Sequence, residues 1–275
     1  MTKRNDYPAG VPCFVDSGRV DSAAARDFYG ELFGWEWDNV SPDAERPYHM
    51  AKLGGSTVAG IGTQPEQDWK PVWNSYVSVQ DAGATAATVE EAGGKVLVAP
   101  FDIGQAGRMA VFADPQGAEF CVWQPGQTAG AEVVNEYGAV VFNTLHTTDI
   151  AAAVDFYGKV FGWEMEAAGE QSWMIRLPGY GQEQDKVSPG YTKGAEQMGA
   201  PEGFVDVVAA VVSDAPARWE VTFAVESADD SAAKVRELGG AVISEPQDLP
   251  WVRETTVQDP DGAQLVLSQF VAPES

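Results

Sequence analysis

Apolar residues recur with helical spacing after an aspartate near the start of the chain. Asp21 is a good helix N-cap, because a carboxylate accepts the free N–H groups of the first turn. Ala24, Phe28 and Leu32 follow at every fourth position, which predicts one apolar helix face. Gly34 fits the left-handed position that ends a helix. The pattern therefore predicts a helix from residue 22 to about residue 33.

Short runs of β-branched and aromatic residues follow this helix and predict strands. The runs are residues 56–61, 95–98, 109–112 and 119–123. The segment 114–117, Asp-Pro-Gln-Gly, separates the last two and is typical of a tight turn. The longest apolar run, 204–212, is interrupted by Asp206 and is far shorter than the ~20 residues of a membrane span. It fits a buried strand.

The same pattern occurs twice. Residues 21–37 and 149–165 are identical at 12 of 17 positions when aligned at an offset of 128. The turn at 114–118, DPQGA, returns as DPDGA at 259–263. Internal repetition of this kind indicates an architecture built from equivalent units.

A finer repeat divides each half into two. The strand that begins at Trp73, with the helix that follows Asp81, returns at an offset of 146 from Trp219. We therefore predict four units, each a strand, a helix and further strands. The predicted boundaries are a first domain at 8–126 (units 8–65 and 70–126), a polar linker at 127–137 and a second domain at 138–272 (units 138–190 and 215–272). The Gly- and Gln-rich stretch 179–203 has no counterpart, and we interpret it as a plain loop rather than a lid.

The charge of the chain limits its possible partners, and its cysteine content bears on the cellular compartment. The 275 residues include 17 basic and 41 acidic ones, a net charge of −24. Such a chain is expected to bind neither nucleic acid nor an anionic membrane, because both require positive charge. Cys13 and Cys121 form no CxxC motif. With no apolar stretch at the N-terminus, we predict an acidic cytoplasmic protein with buried free thiols.

These motifs together resemble a known family. Units with FYG…FGW after the first helix and DPxG before the last strand are similar to the vicinal oxygen chelate superfamily of glyoxalases, bleomycin-resistance proteins and extradiol dioxygenases. Within it, the chain resembles the tandem two-domain glyoxalase-like proteins of actinobacteria, often labelled hydroxylases. The resemblance implies an α+β fold in which four βαβββ units form two cup-shaped mixed β-sheet domains in tandem.

The resemblance also implies a divalent metal, held by His and Glu in each cup. The positions that correspond to its ligands are Phe14, Asn74 and Cys121 in the first cup, and Phe142, Glu220 and Val266 in the second. Among these, Glu220 alone is an ordinary ligand for a hard metal, and one carboxylate does not hold a metal. His49 and His146 fall on none of these positions. We therefore predict metal-free cups with no cofactor.

The residues that line the cups follow from the alternation of side chains along a strand. We predict ligand contacts from Phe14, Asn74, Tyr76, Glu119, Cys121 and Trp123 in the first cup, and from Phe142, Thr144, Thr222 and Ser268 in the second. Aromatic rings with a few polar groups suit a small aromatic or polyketide-like molecule. The recurring Trp35, Trp73, Trp163 and Trp219 are assigned to core packing.

Three residues are candidate proton carriers. His146 is one because histidine is the side chain suited to acid–base chemistry near neutral pH, and Asp16 and Glu220 share the predicted cup faces. The alternatives are a structural histidine at 146 and a solvated strand end at Asp16. Arg108 and Arg253 each precede DPxG by six residues, which points to pairing with an acid.

Three functions stay open from the sequence. The leading one is metal-independent binding of a small organic molecule, for sequestration or resistance. The main alternative is a metal-free acid–base enzyme of secondary metabolism, of hydroxylase, lyase or isomerase type. In the third, one cup is structural and the other functional. Both a monomer and a homodimer are compatible with the tandem chain.

Overall fold

The computed structural model describes residues 3–64 and 70–272, and Trp69 lies outside them. The first half contains β1 Pro12–Arg19, α1 Ser22–Phe33, β2 Glu36–Asn39, β3 Tyr48–Leu53, β4 Ser56–Thr63, β5 Trp73–Ser78, α2 Ala82–Glu91, β6 Lys95–Ile103, β7 Gly107–Ala113 and β8 Glu119–Pro125. The second half contains β9 Val140–Thr147, α3 Ile150–Phe161, β10 Glu164–Ala167, β11 Ser172–Arg176, α4 Tyr180–Val187, α5 Tyr191–Gln197, β12 Val207–Ser213, β13 Arg218–Ala224, α6 Ala228–Glu237, β14 Ala241–Leu249, β15 Val252–Gln258 and β16 Gln264–Phe270.

Each half forms one eight-stranded mixed sheet. The strand order is β2-β3-β4-β1-β5-β8-β7-β6 in the first and β10-β11-β12-β9-β13-β16-β15-β14 in the second. The two units of a half meet at an antiparallel pair, β1 with β5 and β9 with β13. The predicted α+β fold with two tandem domains is confirmed, and the strands of each sheet come from one half of the chain.

Helix α1 begins and ends where the sequence predicts. The Asp21 carboxylate accepts hydrogen bonds from the backbone N–H groups of Ala23 and Ala24, and Gly34 has a φ of 72°. The buried face differs from the predicted one, because Ala25, Phe28 and Tyr29 are buried whereas Ala24 is exposed. Helix α1 packs on the sheet of its own half and also contacts α6 of the other half, so its buried face is wider than the single row of residues that the spacing predicts.

The helices that follow the first strand of each half pack against the opposite half. The Tyr29 hydroxyl of α1 donates a hydrogen bond to Asp259 Oδ2 at 2.7 Å, and the Tyr157 hydroxyl of α3 donates one to Asp114 Oδ2 at 3.1 Å. The FYG motif of each half therefore binds the DPxG turn of the other. This explains why the two motifs recur together.

The recurring tryptophans are core residues, as predicted. The Trp35 indole N–H donates to the Gly138 carbonyl at 2.7 Å, and the Trp163 indole N–H donates to the Gly10 carbonyl at 2.7 Å. Both rings are buried, and each bond joins one half to the other. The indole N–H groups of Trp73 and Trp219 donate to the tyrosine hydroxyls described above, both at 3.0 Å.

One cross-half contact has no equivalent in the other half. Arg19 is fully buried, and its Nη2 lies 2.8 Å from Asp259 Oδ2. Thr147 occupies the corresponding position in the second half, and its hydroxyl donates to Gln116 Oε1 at 3.0 Å. The cross-half junction at Asp259 thus contains a buried ion pair, whereas its counterpart at Asp114 has a neutral hydrogen bond nearby.

The stretch 179–203 is not a plain loop. It contains α4 and α5, and a 3₁₀ turn at Phe204–Asp206 follows it. Both helices start at a glycine that offers no side-chain cap, so their sequence lacks the usual start signal. Gln184 of α4 is buried and accepts a hydrogen bond from Arg4 at 2.6 Å. This long-range contact joins α4 to the N-terminal part of the chain.

The third unit extends beyond its predicted end at residue 190. Its last strand is β12, which pairs in parallel with β9 and antiparallel with β11. The helical insertion separates β12 from β11 in sequence although the two strands are neighbours in the sheet. None of the helices in the described ranges is long and apolar enough to cross a membrane.

Candidate functional site

The centre of the first cup is a buried carboxylate. Asp16 Oδ1 accepts a hydrogen bond from the Asn74 amide at 2.9 Å, and its Oδ2 accepts bonds from the hydroxyls of Tyr48 and Tyr76, each at 2.9 Å. The prediction of a solvated strand end at Asp16 is therefore wrong, because 8% of this residue is exposed. The three donors come from two strands, Tyr48 from β3 and Asn74 and Tyr76 from β5, and together they satisfy the carboxylate.

Tyr48 was not among the predicted cup residues. Its ring lies on β3 over two glycines of the neighbouring strand β4, and a Cβ at Gly60 or Gly62 would overlap it. Gly60 is paired in register with Asp16, so the missing side chains make room for the tyrosine to reach the carboxylate. Two glycines spaced two apart on one strand are the sequence signal that could have indicated this contact.

An apolar wall stands beside the carboxylate. Register places Met109 next to Trp123 and Val111 next to Cys121, so all four share the cup face. Met109, Val111 and Trp123 are partly exposed, and so is Phe14, whose ring contacts Tyr76 at a centroid distance of 5.9 Å. We call Phe14, Met109, Val111 and Trp123 the apolar wall. It offers accessible apolar and aromatic surface next to a hydrogen-bonding centre.

Burial governs the protonation of the first cup. Loss of solvent raises the pKa of Asp16, and the three hydrogen bonds that it accepts oppose this rise. Burial and the nearby Asp16 charge raise the pKa values of Tyr48 and Tyr76 well above the usual range, so both keep their protons and remain donors. The Cys121 thiol also has a raised pKa, mainly because of burial.

We expect the wild type to lose stability relative to Asp16→Asn as pH rises. A raised folded-state pKa means that folded Asp16 keeps its proton above the unfolded value of about 3.9. Its stabilising contribution is complete below that value and is lost as pH rises through the folded pKa, whereas asparagine has no proton to lose. Urea unfolding of both proteins at about pH 4 and about pH 8 measures the difference. A difference that is the same at both pH values would contradict the assignment.

The second cup has a histidine held between two carboxylates. His146 Nδ1 lies 3.2 Å from Asp214 Oδ2, and its Nε2 lies 3.1 Å from Glu220 Oε2. Arg218 supports this arrangement, with both terminal nitrogens 3.3 Å from Asp214 Oδ2. A carboxylate oxygen only accepts, so each contact requires a proton on the ring nitrogen or on the acid. His146 and Glu220, both predicted site residues, are thus in contact.

A second glutamate shares this cup face. Glu254 pairs in register with Ser268, which lies on the strand between Glu254 and β13. Burial raises the pKa of Glu254, the charge of Glu220 adds to the rise, and the Ser268 hydroxyl opposes it. Glu254 therefore stays protonated to higher pH than an ordinary glutamate, which suits a proton donor.

The two cups have the same backbone plan and different chemistry. Asp16, Tyr76, Met109 and Trp123 in the first correspond, in the same order, to Thr144, Thr222, Glu254 and Ser268 in the second. The first cup thus presents an apolar and aromatic surface around one buried acid. The second presents hydroxyl groups and several titratable groups.

The side chains at the expected ligand positions do not fit a divalent metal. Phe14, Phe142 and Val266 have no donor atom, and the Asn74 amide already donates to Asp16. In the described ranges, no group of three or more His, Cys, Asp or Glu side chains is arranged to hold a metal ion. The donor set of both cups therefore disagrees with the metal that the fold implies.

The predicted site residues are brought together unevenly. Asn74, Tyr76 and Cys121 surround Asp16 in the first cup, and His146 meets Glu220 in the second. Phe142, Thr144, Thr222 and Ser268 share the second cup face by register. Glu119 is exposed at the start of β8, and within the described residues it forms no hydrogen bond with Asp16 or with the three donors to Asp16.

His49 and Arg253, both noted in the sequence, lie outside the cups. His49 is on the opposite face of β3 from Tyr48, is buried, and has a pKa lowered by burial. Arg253 pairs with Asp229 at 2.7 Å and Asp248 at 2.8 Å, in agreement with the predicted pairing role. The sequence indicated neither Asp214 nor Arg218 as part of the His146 site.

Two proteins of known sequence are similar to this chain over nearly its whole length. It is 38% identical over 271 residues to the putative glyoxylase CFP32 of Mycobacterium tuberculosis, covering 96% of each protein. It is 34% identical over 271 residues to the anthracycline biosynthesis protein DnrV of Streptomyces peucetius, covering 94% of this chain and 92% of that one.

Solved structures share the fold at low identity. The Mn(II)-bound glyoxalase from Novosphingobium aromaticivorans has a TM-score of 0.62 at 18% identity, covering 95% of this chain and 82% of that one. The 2,3-dioxygenase LapB from Pseudomonas sp. KL28 has a TM-score of 0.61 at 12% identity, covering 98% and 96%. The glyoxalase-like domain family matches residues 13–123 and 139–268. The chain therefore belongs to the glyoxalase-like domain family, with two tandem copies of the domain.

Proposed function

We propose that the first cup binds a small aromatic or polyketide-like molecule without a metal. The observation that carries this proposal is the apolar wall, which remains partly exposed beside the Asp16 carboxylate and its donors. A planar ring system stacks on aromatic and apolar side chains, and a few polar groups orient it. Sequestration of that molecule is the role that requires nothing beyond binding.

The name of one relative supports the same class of ligand. One of them is named as an anthracycline biosynthesis protein and another as a putative glyoxylase. A role in secondary metabolism, with a fused-ring aromatic compound as ligand, fits the former name and the lining of the first cup. The buried free thiols of Cys13 and Cys121 support a reducing compartment such as the cytoplasm.

The binding proposal can be tested with 1,4-dihydroxyanthraquinone as the probe. We expect saturable binding with one molecule per chain, and about tenfold weaker binding by Trp123→Ala, because the variant loses a stacking surface. Isothermal titration calorimetry measures both, and mass spectrometry of the recovered probe checks that it is unchanged.

Ser268→Ala is the matched control, since Ser268 occupies the position of Trp123 in the second cup. It should bind the probe as the wild type does. Weakening by Ser268→Ala alone would move the ligand to the second cup, and a lack of saturable binding would contradict the proposal. Met109→Gln repeats the test at a second position of the apolar wall.

A second candidate function rests on the second cup. The Asp214–His146–Glu220 arrangement, with Glu254 on the same face and its pKa raised by burial, contains groups that could both take and give a proton. This favours metal-free acid–base chemistry on a carbonyl compound. The two domains would then have different functions, ligand binding in the first cup and proton transfer in the second.

A further inference from the structure

A groove of about 350 Å³ lies between the two halves, away from both cups. Its walls come from the end of α1, from the segment that joins the halves, and from the residues around the start of α6. The volume lies at the lower end of the range of small-molecule sites, roughly 300–1,000 Å³. The cup residues described above do not line this groove.

The groove has an apolar wall on the inside and an exposed tyrosine at its opening. Leu32 and Phe33 of α1 and the buried Val225 form the inner wall. The Phe33 ring packs against Phe223 at a centroid distance of 5.1 Å, which holds the wall in place. Tyr137 stands at the opening with 59% of its surface exposed, so its ring face is available to a ligand.

The charges around the groove favour a cation. Glu226 and Asp230 line it and are exposed. Lys234 also lines it, but its amino group lies 3.6 Å from Glu31 and is partly neutralised by that contact. The groove therefore has an excess of negative charge, and the exposed ring of Tyr137 adds a surface that attracts cations.

The internal repeat shows that the fold does not require this chemistry. At the corresponding positions of the other half, Tyr137 is replaced by Ala9, Asp230 by Ala84 and Lys234 by Thr88. The neighbouring backbone is equivalent, since Gly10 and Gly138 both have positive φ and both accept a tryptophan N–H. Tyr137 and Asp230 are therefore features of this groove and not of the repeated fold.

We propose that this groove is a second ligand site, which binds a small organic cation consisting of an aromatic ring and a protonated amine. The ring occupies the space between Tyr137 and the apolar wall of Leu32 and Phe33. The ammonium group lies near Asp230 and Glu226. Such a ligand contacts both halves of the chain, so its binding also strengthens their junction.

Two matched probes test the charge and the ring separately. Tyramine carries an amine, and 3-(4-hydroxyphenyl)propionate carries a carboxylate on the same ring with a chain of similar length. We expect saturable binding of tyramine with a stoichiometry of one in isothermal titration calorimetry, and none of the propionate. Asp230→Asn and Tyr137→Ala should each weaken tyramine binding by about tenfold.

The control variant is Glu237→Gln, which removes one exposed negative charge from the same helix but does not line the groove. It should bind tyramine as the wild type does. Equal binding of both probes, or tyramine binding that Asp230→Asn and Tyr137→Ala leave unchanged, would overturn the proposal. Loss of tyramine binding in Asp16→Asn with retention in Asp230→Asn would assign the amine to the first cup and overturn it too. The result is independent of anthraquinone binding in the first cup.

Discussion

Replacing Asp259 with asparagine will lower the free energy of unfolding by about 3–5 kcal/mol, because it leaves a buried charge without its partner. Arg19 is completely buried, and its Nη2 lies 2.8 Å from Asp259 Oδ2. Its Nε and Nη1 have no other partner in the described residues. Asparagine keeps an oxygen for the turn N–H groups that Asp259 Oδ1 now binds, so the loss reports chiefly on the charge.

Asp114→Asn is the matched control for this prediction. Asp114 occupies the equivalent turn of the first half and also binds a tyrosine hydroxyl, but no arginine in the part of the chain that the structure describes forms an ion pair with it. We expect a loss of about 1 kcal/mol, the value of an ordinary hydrogen bond. Urea unfolding of the two variants at neutral pH compares them directly. Equal losses would show that the Arg19 charge is not held by Asp259.

Under the proposed acid–base role of the second cup, replacing His146 with glutamine will lower the rate of proton transfer there by about 100- to 10,000-fold, the usual contribution of a general acid or base. Glutamine is close in size and can form hydrogen bonds here, but its amide acts as neither an acid nor a base near neutral pH. The measurement is the exchange of the α-hydrogens of 2-tetralone with deuterium oxide, followed by proton NMR. In this exchange a C–H bond breaks, the base takes the proton, and a deuteron from solvent replaces it.

The other histidine of the chain provides the control. His49 is buried on the opposite face of its strand from the first cup, so His49→Gln should exchange the probe at the wild-type rate. Equal rates for His146→Gln and the wild type would contradict the role of His146. Exchange by the wild type no faster than in buffer would remove the acid–base candidate and leave binding in the first cup as the function.

Local signals in the sequence identified much of the fold. Asp21 caps the start of α1 and Gly34 caps its end, as the sequence predicts. The repeated FYG and DPxG motifs predict equivalent units. The sequence did not predict helices α4 and α5, because each is preceded by a glycine, which offers no side-chain cap. The hydrogen bond from Arg4 to Gln184 of α4 joins residues 180 positions apart. Capping and spacing report on neighbours in sequence, and neither detects such a contact.

The sequence likewise predicted some residues of the candidate site and missed others. Alternation along a strand was enough to place Asp16, Asn74 and Tyr76 on one face and His146 with Glu220 on another. It did not indicate that Tyr48 closes over Asp16, or that Asp214 binds His146. These partners come from a separate strand and a loop, at positions that alternation does not relate to the cup face.

By itself, the sequence determined the repeat, the four units, the family and the absence of a ligand set for a metal at the expected positions, because all of these depend on which residues occur at which spacing. The tertiary structure alone decided which groups are buried and which face each other. Burial raises the pKa values of Asp16 and Glu254. The packing of the two halves brings Arg19 into contact with Asp259. Desolvation and long-range contact are properties of the folded chain, so no pattern of neighbouring residues contains them.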